Sequence, residues 1–478
     1  VGLEELRRGP PRRIALINPP VLALDRVQVD YYADALPHGL FQIAAWLRGL
    51  GHRVRVADMM GYGKHHRRWR DLLRVGELTP AEPVATGASG HRLDAWRYGQ
   101  PLASLDNWFQ RLGGPPDEVW VTCAIPFNAE PAHEVIARVR DIAPGATIRF
   151  GGGYPSALPD DAATSGADHV HVGRVLDADR VQPDLALDTR VRDFAHFRLT
   201  CGCPNKCTFC INGREAMHRF DARAVLEWIQ LVRRDLGITR FNNWDPNVLR
   251  FRTHLREFLE GAGKLPDDVV LRFDMGLEPD LIDDEAVALL RQGRVGAFSI
   301  PFESVEPTRW RLYEKPYTVI STLRAIDRLR AGNFNLTPCH GTYIIGYPDE
   351  ELADVFAVHH LIRGAGMVGT PFPITPVKGS PIWDRYEDRL EGRTVRDLNG
   401  HAFPLLDDPK QVALYRRILP VLATTRADGP EQLIQDFPAE VREAWRDGAE
   451  RAERLVSAVR ATDASDSIEL LEELLEKP

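Results

Sequence analysis

Long apolar runs are absent: no stretch of the 478 residues approaches the ~18 consecutive apolar residues that span a bilayer, and Val1 to Arg13 carries Arg and Pro without the apolar core of a secretory leader. The expected location is the cytoplasm, away from membranes. A basic excess is missing too. Sixty Lys and Arg stand against 68 Asp and Glu, a net charge of −8, which argues against a nucleic-acid partner and favours a small-molecule or peptide substrate. Cysteine is scarce, six in all, and unevenly spread. Cys201, Cys203, Cys207 and Cys210 fall within one block of ten residues, while Cys123 and Cys339 stand alone after apolar, strand-like runs. Such a cluster in a long chain favours metal binding over a disulfide framework.

What is present suggests an α/β protein of two or three domains, at roughly 100–200 residues each. Strand-like runs at Arg13 to Ile17, Val54 to Ala57, Glu118 to Cys123, Thr147 to Phe150 and His169 to Val172 alternate with helical stretches at Gly39 to Leu50 and Pro131 to Ile142. That alternation predicts a doubly wound, flavodoxin- or Rossmann-like domain over residues 1–185, with ligands at the carboxyl ends of its strands. A long insertion, about residues 59–116, contains Lys64-His65-His66-Arg67-Arg68-Trp69-Arg70 and reads as a solvated loop or helix with a basic face. From Phe197 the pattern restarts. Runs at Phe197 to Thr200, Arg240 to Asn243, Val269 to Phe273, Ala297 to Phe302, Gly341 to Ile345 and Thr370 to Ile374 predict a partial (β/α)6 barrel over 190–385. The remaining 386–478 is rich in Glu, Arg and Ala and reads as helical, ending in an amphipathic Ile468 to Leu475.

The segment Cys203-Pro204-Asn205-Lys206-Cys207-Thr208-Phe209-Cys210 sets three thiols at CxxxCxxC spacing after a strand. Iron–sulfur clusters normally take four cysteines, so three leave one iron open for a substrate or cofactor. Structural zinc is the alternative, with Cys201 as fourth ligand, although no second CxxC pair or CxxH follows. A redox dithiol is the other, and no thioredoxin pattern surrounds Cys207 and Cys210.

The three-cysteine loop, with an aromatic before its last thiol, resembles the radical S-adenosylmethionine (SAM) superfamily. So do Glu303-Ser304 after the fourth barrel strand, Tyr343-Ile344-Ile345-Gly346-Tyr347-Pro348, and Thr375 to Pro381 near the barrel end. The resemblance implies a [4Fe-4S] cluster held by Cys203, Cys207 and Cys210, with SAM chelating the open iron and cleaved to a 5′-deoxyadenosyl radical. It also implies an electron donor such as flavodoxin or ferredoxin, and SAM contacts at Phe209, Asn243 and Glu303. A barrel-mouth carboxylate paired with Arg272 or Arg309 is the plainer role for Glu303. Asn242-Asn243-Trp244-Asp245 stands where relatives often have Asp-Asp-Asn-Phe, and Cys201 where they often have Arg.

In front of such a barrel, the N-terminal domain resembles the B12-binding domain of cobalamin-dependent radical SAM enzymes. The matching segments are Ile17-Asn18-Pro19-Pro20, Pro37-His38-Gly39-Leu40, Gly49-Leu50-Gly51-His52, Gly151-Gly152-Gly153 onward to Pro159, Gly166-Ala167-Asp168 and Val172-Gly173. The resemblance implies cobalamin contacts at Asn18, Gly39, Thr122, Gly151, Gly152, Gly153 and Gly173. The DxHxxG motif of B12 mutases is missing, so His38 is not assigned to cobalt.

With both cofactors, the expected activity is C-methylation of an unactivated carbon through the deoxyadenosyl radical and methylcobalamin. A cyclase, ring-rearranging or oxidising enzyme is the alternative, and a non-catalytic cobalamin- or metal-binding module is the alternative from another class. Methylthio transfer is disfavoured because Cys123 alone precedes the cluster region. Tyr31, Tyr32, Trp244, His340 and Tyr343 are candidate pocket residues.

Overall fold

Five parallel strands organise the first part of the chain: β1 (Arg13–Asn18), β2 (Arg53–Asp58), β3 (Glu118–Thr122), β4 (Thr147–Gly151) and β5 (His169–Val170). Their spatial order is β2-β1-β3-β4-β5, with Ile14 beside both Val54 and Glu118, and Val119 beside Ile148. This is the doubly wound order whose direction reverses between β1 and β3, where such sheets bind ligands. In the computed structural model the described residues are 3–33, 36–60, 77–86, 91–188, 192–210, 217–424 and 429–476. The run Lys64 to Arg70 lies outside them.

Helices α1 (His38–Gly49) and α2 (Ala129–Ile142) belong to this unit. α2 buries Ala132, Val135, Ile136 and Val139, one stripe at helical spacing, against Val119, Val121, Ile148 and Phe150 of the sheet. Each such side chain contributes about 1.5–3 kcal/mol when fully buried. Residues 77–86 and 91–99 depart from the expected loop or helix. Glu77–Thr86 and His91–Gly99 pair antiparallel, and the second also pairs with Val21–Ala23. Pro80 and Pro83 disguise this ribbon in the sequence, because proline usually argues against a strand. The unit comprises Val1–Asp193 together with 377–379 and 387–404.

The second unit, Phe194–Pro376 with 380–386 and 405–478, contains a six-stranded sheet in strict chain order. Its strands are β6 (Phe194–Phe197), β7 (Arg240–Asn243), β8 (Val270–Phe273), β9 (Val295–Glu303), β10 (His340–Ile345) and β11 (Val368–Pro373). All neighbours are parallel, and β6 and β11 are the two edges, so the βα repeat curls without closing. The first strand ends three residues earlier than the sequence suggests. Thr200–Cys201 instead pairs antiparallel with His218–Arg219, forming the stem of the loop that carries the thiols.

Between the strands run α3 (Ala222–Leu236), α4 (Arg252–Ala262), α5 (Asp284–Gln292), α6 (Pro307–Tyr313), α7 (Val319–Ala331) and α8 (Leu352–Gly364). Their ends follow capping chemistry. The Asp221 side chain accepts from Ala224 N at 2.9 Å to start α3, and Gly237, at φ 69°, ends it in the left-handed conformation. After them come α9 (Pro409–Leu422), α10 (Ala439–Arg460) and α11 (Ile468–Glu476). α10 approaches α8 at Gly448, where a Cβ would fall 2.7 Å from Phe356 Cβ. No helix among the described residues is long and apolar enough to cross a membrane.

Candidate active site

In the second unit one face of the sheet is apolar and helix-covered. Phe197 stacks on Phe258 of α4 at 5.3 Å, Phe241 meets Trp228 of α3 at 6.1 Å, and Tyr343 OH lies 3.1 Å from His359 Nδ1 of α8. Tyr343 is thus a packing residue, not the pocket aromatic expected of it. The opposite face carries polar side chains in register: His196, Asn242 and Arg272 across β6–β8, then Ser299 beside His340, and Thr342 beside Thr370. Trp244 stacks on His196 at 4.3 Å and 14°. Arg272 Nε donates to Asp274 at 3.1 and 3.2 Å, and His340 Nδ1 sits 3.0 Å from Thr370 Oγ1. Burial, followed by repulsion from Arg272, lowers the His340 pKa and favours its neutral form.

The thiol loop leaves the carboxyl end of β6. Asp245, buried beyond the end of β7, accepts from Leu199 N at 2.9 Å, Thr200 N at 2.8 Å and Thr200 Oγ1 at 3.0 Å, tying the start of the loop to the neighbouring strand. Burial outweighs these bonds and pushes its pKa up to about 7. Further along, Glu278 accepts from Asn205 Nδ2 at 3.2 Å, from Arg250 Nε at 3.0 Å and from Asn247, whose amide also lies 3.9 Å from Cys203 Sγ. Thr208 is fixed three ways: its N donates to Tyr313 O at 3.2 Å, its Oγ1 to Leu312 O at 2.6 Å, and its O accepts from Ile382 N at 3.2 Å.

None of Cys203, Cys207 and Cys210 is joined in a disulfide. Burial pushes the Cys207 pKa up to about 11; Lys315 opposes that, while Cys210, Glu303 and Cys203 add to it. Among the described residues no three His, Cys, Asp or Glu side chains are placed to close on a metal ion. The donor chemistry, three thiols on one anchored loop beside a buried cation, is that of an iron–sulfur cluster.

Glu303 ends β9 in the left-handed region, φ 54°, and forms its ion pair with Lys315. Neither partner suggested by the sequence takes that place. Arg272 is engaged by Asp274, and Arg309 by Glu306 at 3.0 Å and Asp349 at 2.7 Å. Lys315 Nζ also donates to Tyr317 OH at 3.0 Å and lies 5.5 Å from the Phe209 ring centre. Phe209 packs edge-on to Tyr313 at 5.1 Å. Asn243 is in register with Phe197, on the helix side, and its buried Nδ2 has no partner among the described residues; Asn242 occupies the polar row, with its Oδ1 buried and unpartnered. Lys315 escaped sequence reasoning. The available signal was a lysine in the short Glu314-Lys315-Pro316 link between two helical segments.

In the first unit the predicted cobalamin contacts fall at or near the carboxyl edge. Asn18 Nδ2 donates to Asp58 Oδ1 at 2.8 Å, and Asp58 Oδ2 accepts from Arg192 at 2.7 Å. Thr122 is half-buried at the end of β3. Gly152 and Gly153 make room for the chain itself, since a Cβ there would lie 2.4 Å from Cys123 O and 2.2 Å from Ala124 O. Gly39 and Gly173 face open space, the latter at φ 85°, and Gly151 has only His171 Cβ, at 3.6 Å. That open backbone fits a large flat cofactor. Tyr32 is buried, whereas Tyr31 is exposed.

Residues 197–360 match the sequence profile of the Radical SAM superfamily. Among curated proteins, the chain is 25% identical over 223 residues to the ribosomal protein uS12 methylthiotransferase RimO of Stenotrophomonas maltophilia, covering 42% of this chain and 48% of that one. RimO of Cellvibrio japonicus is 25% identical over 266 residues, covering 47% and 57%. The chain spans about half the length of the curated relatives it matches. Among solved structures, the radical SAM methyltransferase TsrM of Kitasatospora setae, with tryptophan and a SAM analogue bound, superposes with TM-score 0.54 at 15% identity over 80% of this chain and 77% of that one. The cobalamin-dependent SAM radical enzyme OxsB, with aqua-cobalamin and SAM bound, gives TM-score 0.58 at 11% identity over 99% and 84%. At these identities the likeness is one of fold, a B12-binding-type sheet with a radical SAM sheet and C-terminal helices.

Proposed function

From the premise that residues 197–360 form a radical SAM domain, we propose that the protein is a cobalamin-dependent radical SAM C-methyltransferase acting on an unactivated carbon of a small molecule or peptide. The observation that carries the reading is the pairing, in one chain, of a three-thiol loop at the edge of a six-strand βα sheet with a separate doubly wound sheet of order β2-β1-β3-β4-β5. When bound, the cluster and SAM supply a hydrogen-abstracting radical, and cobalamin supplies a transferable methyl group.

The chain's own residues bind, orient and shield. Cys203, Cys207 and Cys210 hold the cluster, with Asp245 and Glu278 fixing the loop that carries them. The backbone at Phe209 and the Glu303–Lys315 pair would meet SAM, and Asn242, whose buried oxygen has no partner among the described residues, would make the contact the sequence assigned to Asn243. His196, Ser299, His340, Thr342 and Thr370 offer the substrate hydrogen bonds along one face while the helix-covered face excludes water. In the first unit, the open backbone at Gly39, Gly151 and Gly173 receives cobalamin. The sequence matches favour a second reading, methylthio transfer. Cys123 and Cys201 precede the cluster loop in the given sequence, and Cys123 is buried and hydrogen-bonded to Ile125 O at 3.3 Å.

The test is anaerobic reconstitution with iron, sulfide and hydroxocobalamin, followed by SAM and a strong reductant. Wild type should retain cobalamin and release 5′-deoxyadenosine, and the Cys203→Ala, Cys207→Ala, Cys210→Ala triple variant should fall at least 100-fold. S-adenosylhomocysteine formed in step with a methylated product supports methyl transfer. Deoxyadenosine without it supports cyclisation or oxidation, a sulfur-bearing product supports methylthio transfer, and zinc in place of iron in wild type ends the radical reading.

A further inference from the structure

The thiol loop and the segment after α6 are built as one piece. Thr208, between Cys207 and Phe209, spends its N–H and its hydroxyl on the carbonyls of Tyr313 and Leu312, and two residues beyond Tyr313 comes Lys315. The lysine side chain is 8% exposed, as is that of Glu303. Its ammonium is fixed by Glu303, by Tyr317 OH at 3.0 Å, and by two aromatic faces, Phe209 at 5.5 Å and Tyr317 at 5.1 Å. A buried ammonium is retained only where partners offset its lost hydration. Here Glu303 supplies the opposite charge and the Tyr317 hydroxyl a further acceptor.

We propose that Lys315 is a positioning residue of the cysteine loop, a fixed internal cation that offsets the charge of the thiolates and sets the potential at which a cluster held there accepts an electron. The inference rests on the radical SAM reading above. Adding an electron to a cluster adds negative charge in a region of low dielectric, where a fixed neighbouring cation acts strongly, and local charge is one of the protein's levers on cluster potential. Glu303 then has two duties: it anchors the cation and limits its effect.

The experiment is a redox titration of the reconstituted full chain, without SAM, followed by electron paramagnetic resonance of the reduced cluster. At the potential where wild type is half reduced, Lys315→Met should show a ratio of reduced to oxidised cluster about tenfold lower, a shift of ~59 mV to more negative values for one electron. Lys315→Arg, which keeps the charge, should stay within about threefold of wild type. Glu303→Gln should move the other way, and it decides the matter if Lys315→Met fails to fold or to take up iron. If cluster-loaded Lys315→Met and Glu303→Gln both titrate with wild type, the inference falls and the radical SAM reading stands. If wild type itself takes up no [4Fe-4S] cluster, both fall.

Discussion

The two units use the same strand–helix grammar and finish their strands differently. In the first, the last three strands end on uncharged residues, Thr122, Gly151 and Val170, and its one charged strand end, Asp58, is consumed internally by Asn18 and Arg192. In the second, the strand ends and the loops beyond them carry Asp245, Asp274 and Glu303, each committed to a named donor. One unit offers room and the other offers fixed charge. A large, flat, mostly uncharged ligand suits the first, and a charged cluster with a zwitterionic co-substrate suits the second.

That contrast can be broken most severely at Asp245. Asp245→Ala strands three buried donors, at about 1–3 kcal/mol each, so a loss of about 4 kcal/mol is expected in chemical denaturation, with iron uptake falling in parallel. Asp245→Asn, which still accepts through its one carbonyl oxygen, should recover part of both. If Asp245→Ala keeps wild-type stability and iron content, the carboxylate does not anchor the loop.

Next in size is Gly152→Ala, which sets a Cβ 2.4 Å from a carbonyl oxygen at φ 118°. Overpacking and backbone strain together predict about 3 kcal/mol of destabilisation. Cobalamin retention should drop while iron content holds, which would sharpen the division of labour between the units; equal loss of both cofactors would blur it.

The smallest effect is a pH dependence in the second unit. Glu350 accepts from Gly346 N at 2.9 Å and from Tyr415 OH at 2.7 Å, and burial pushes its pKa from 4.5 up to about 7. The folded state therefore binds this proton more tightly than the unfolded chain does. The contribution is fully present below pH 4.5 and is lost as pH rises through 7. Between pH 5 and 7.5, Glu350→Gln should flatten the decline of Tm, by about 3 °C. An unchanged slope in the variant would mean that other groups set it.

The parallel strands of both units were legible, unlike the antiparallel ribbon of the first, because β-branched and aromatic runs bounded by glycine, proline or asparagine leave a clear signature, as at Thr147–Gly151 and His340–Ile345. The first strand of the second unit was displaced because Leu199 and Thr200 prolong the apolar run past its true end at Phe197. The thiols were legible from spacing alone, but their supports were not. Lys315 stands 12 residues after Glu303, across a helix, and Asp245 stands 45 residues after Thr200; only the folded register brings each pair together. The triple glycine was legible as a need for missing side chains. Sequence could not distinguish the uncrowded Gly151 from Gly152 and Gly153, which make room for the carbonyls of Cys123 and Ala124.

The strict order of β6 to β11 bears on how the chain comes to be folded at all. Each new strand pairs with the one translated just before it, so the second sheet can lengthen by one rung at a time as the ribosome delivers it, with little search. β3, by contrast, must find β1 across about a hundred residues, including the antiparallel ribbon. The slow step of biogenesis is therefore expected in the first unit, while the thiol loop, attached to the earliest rung of the second, waits for α6 to emerge before Thr208 can be pinned in place.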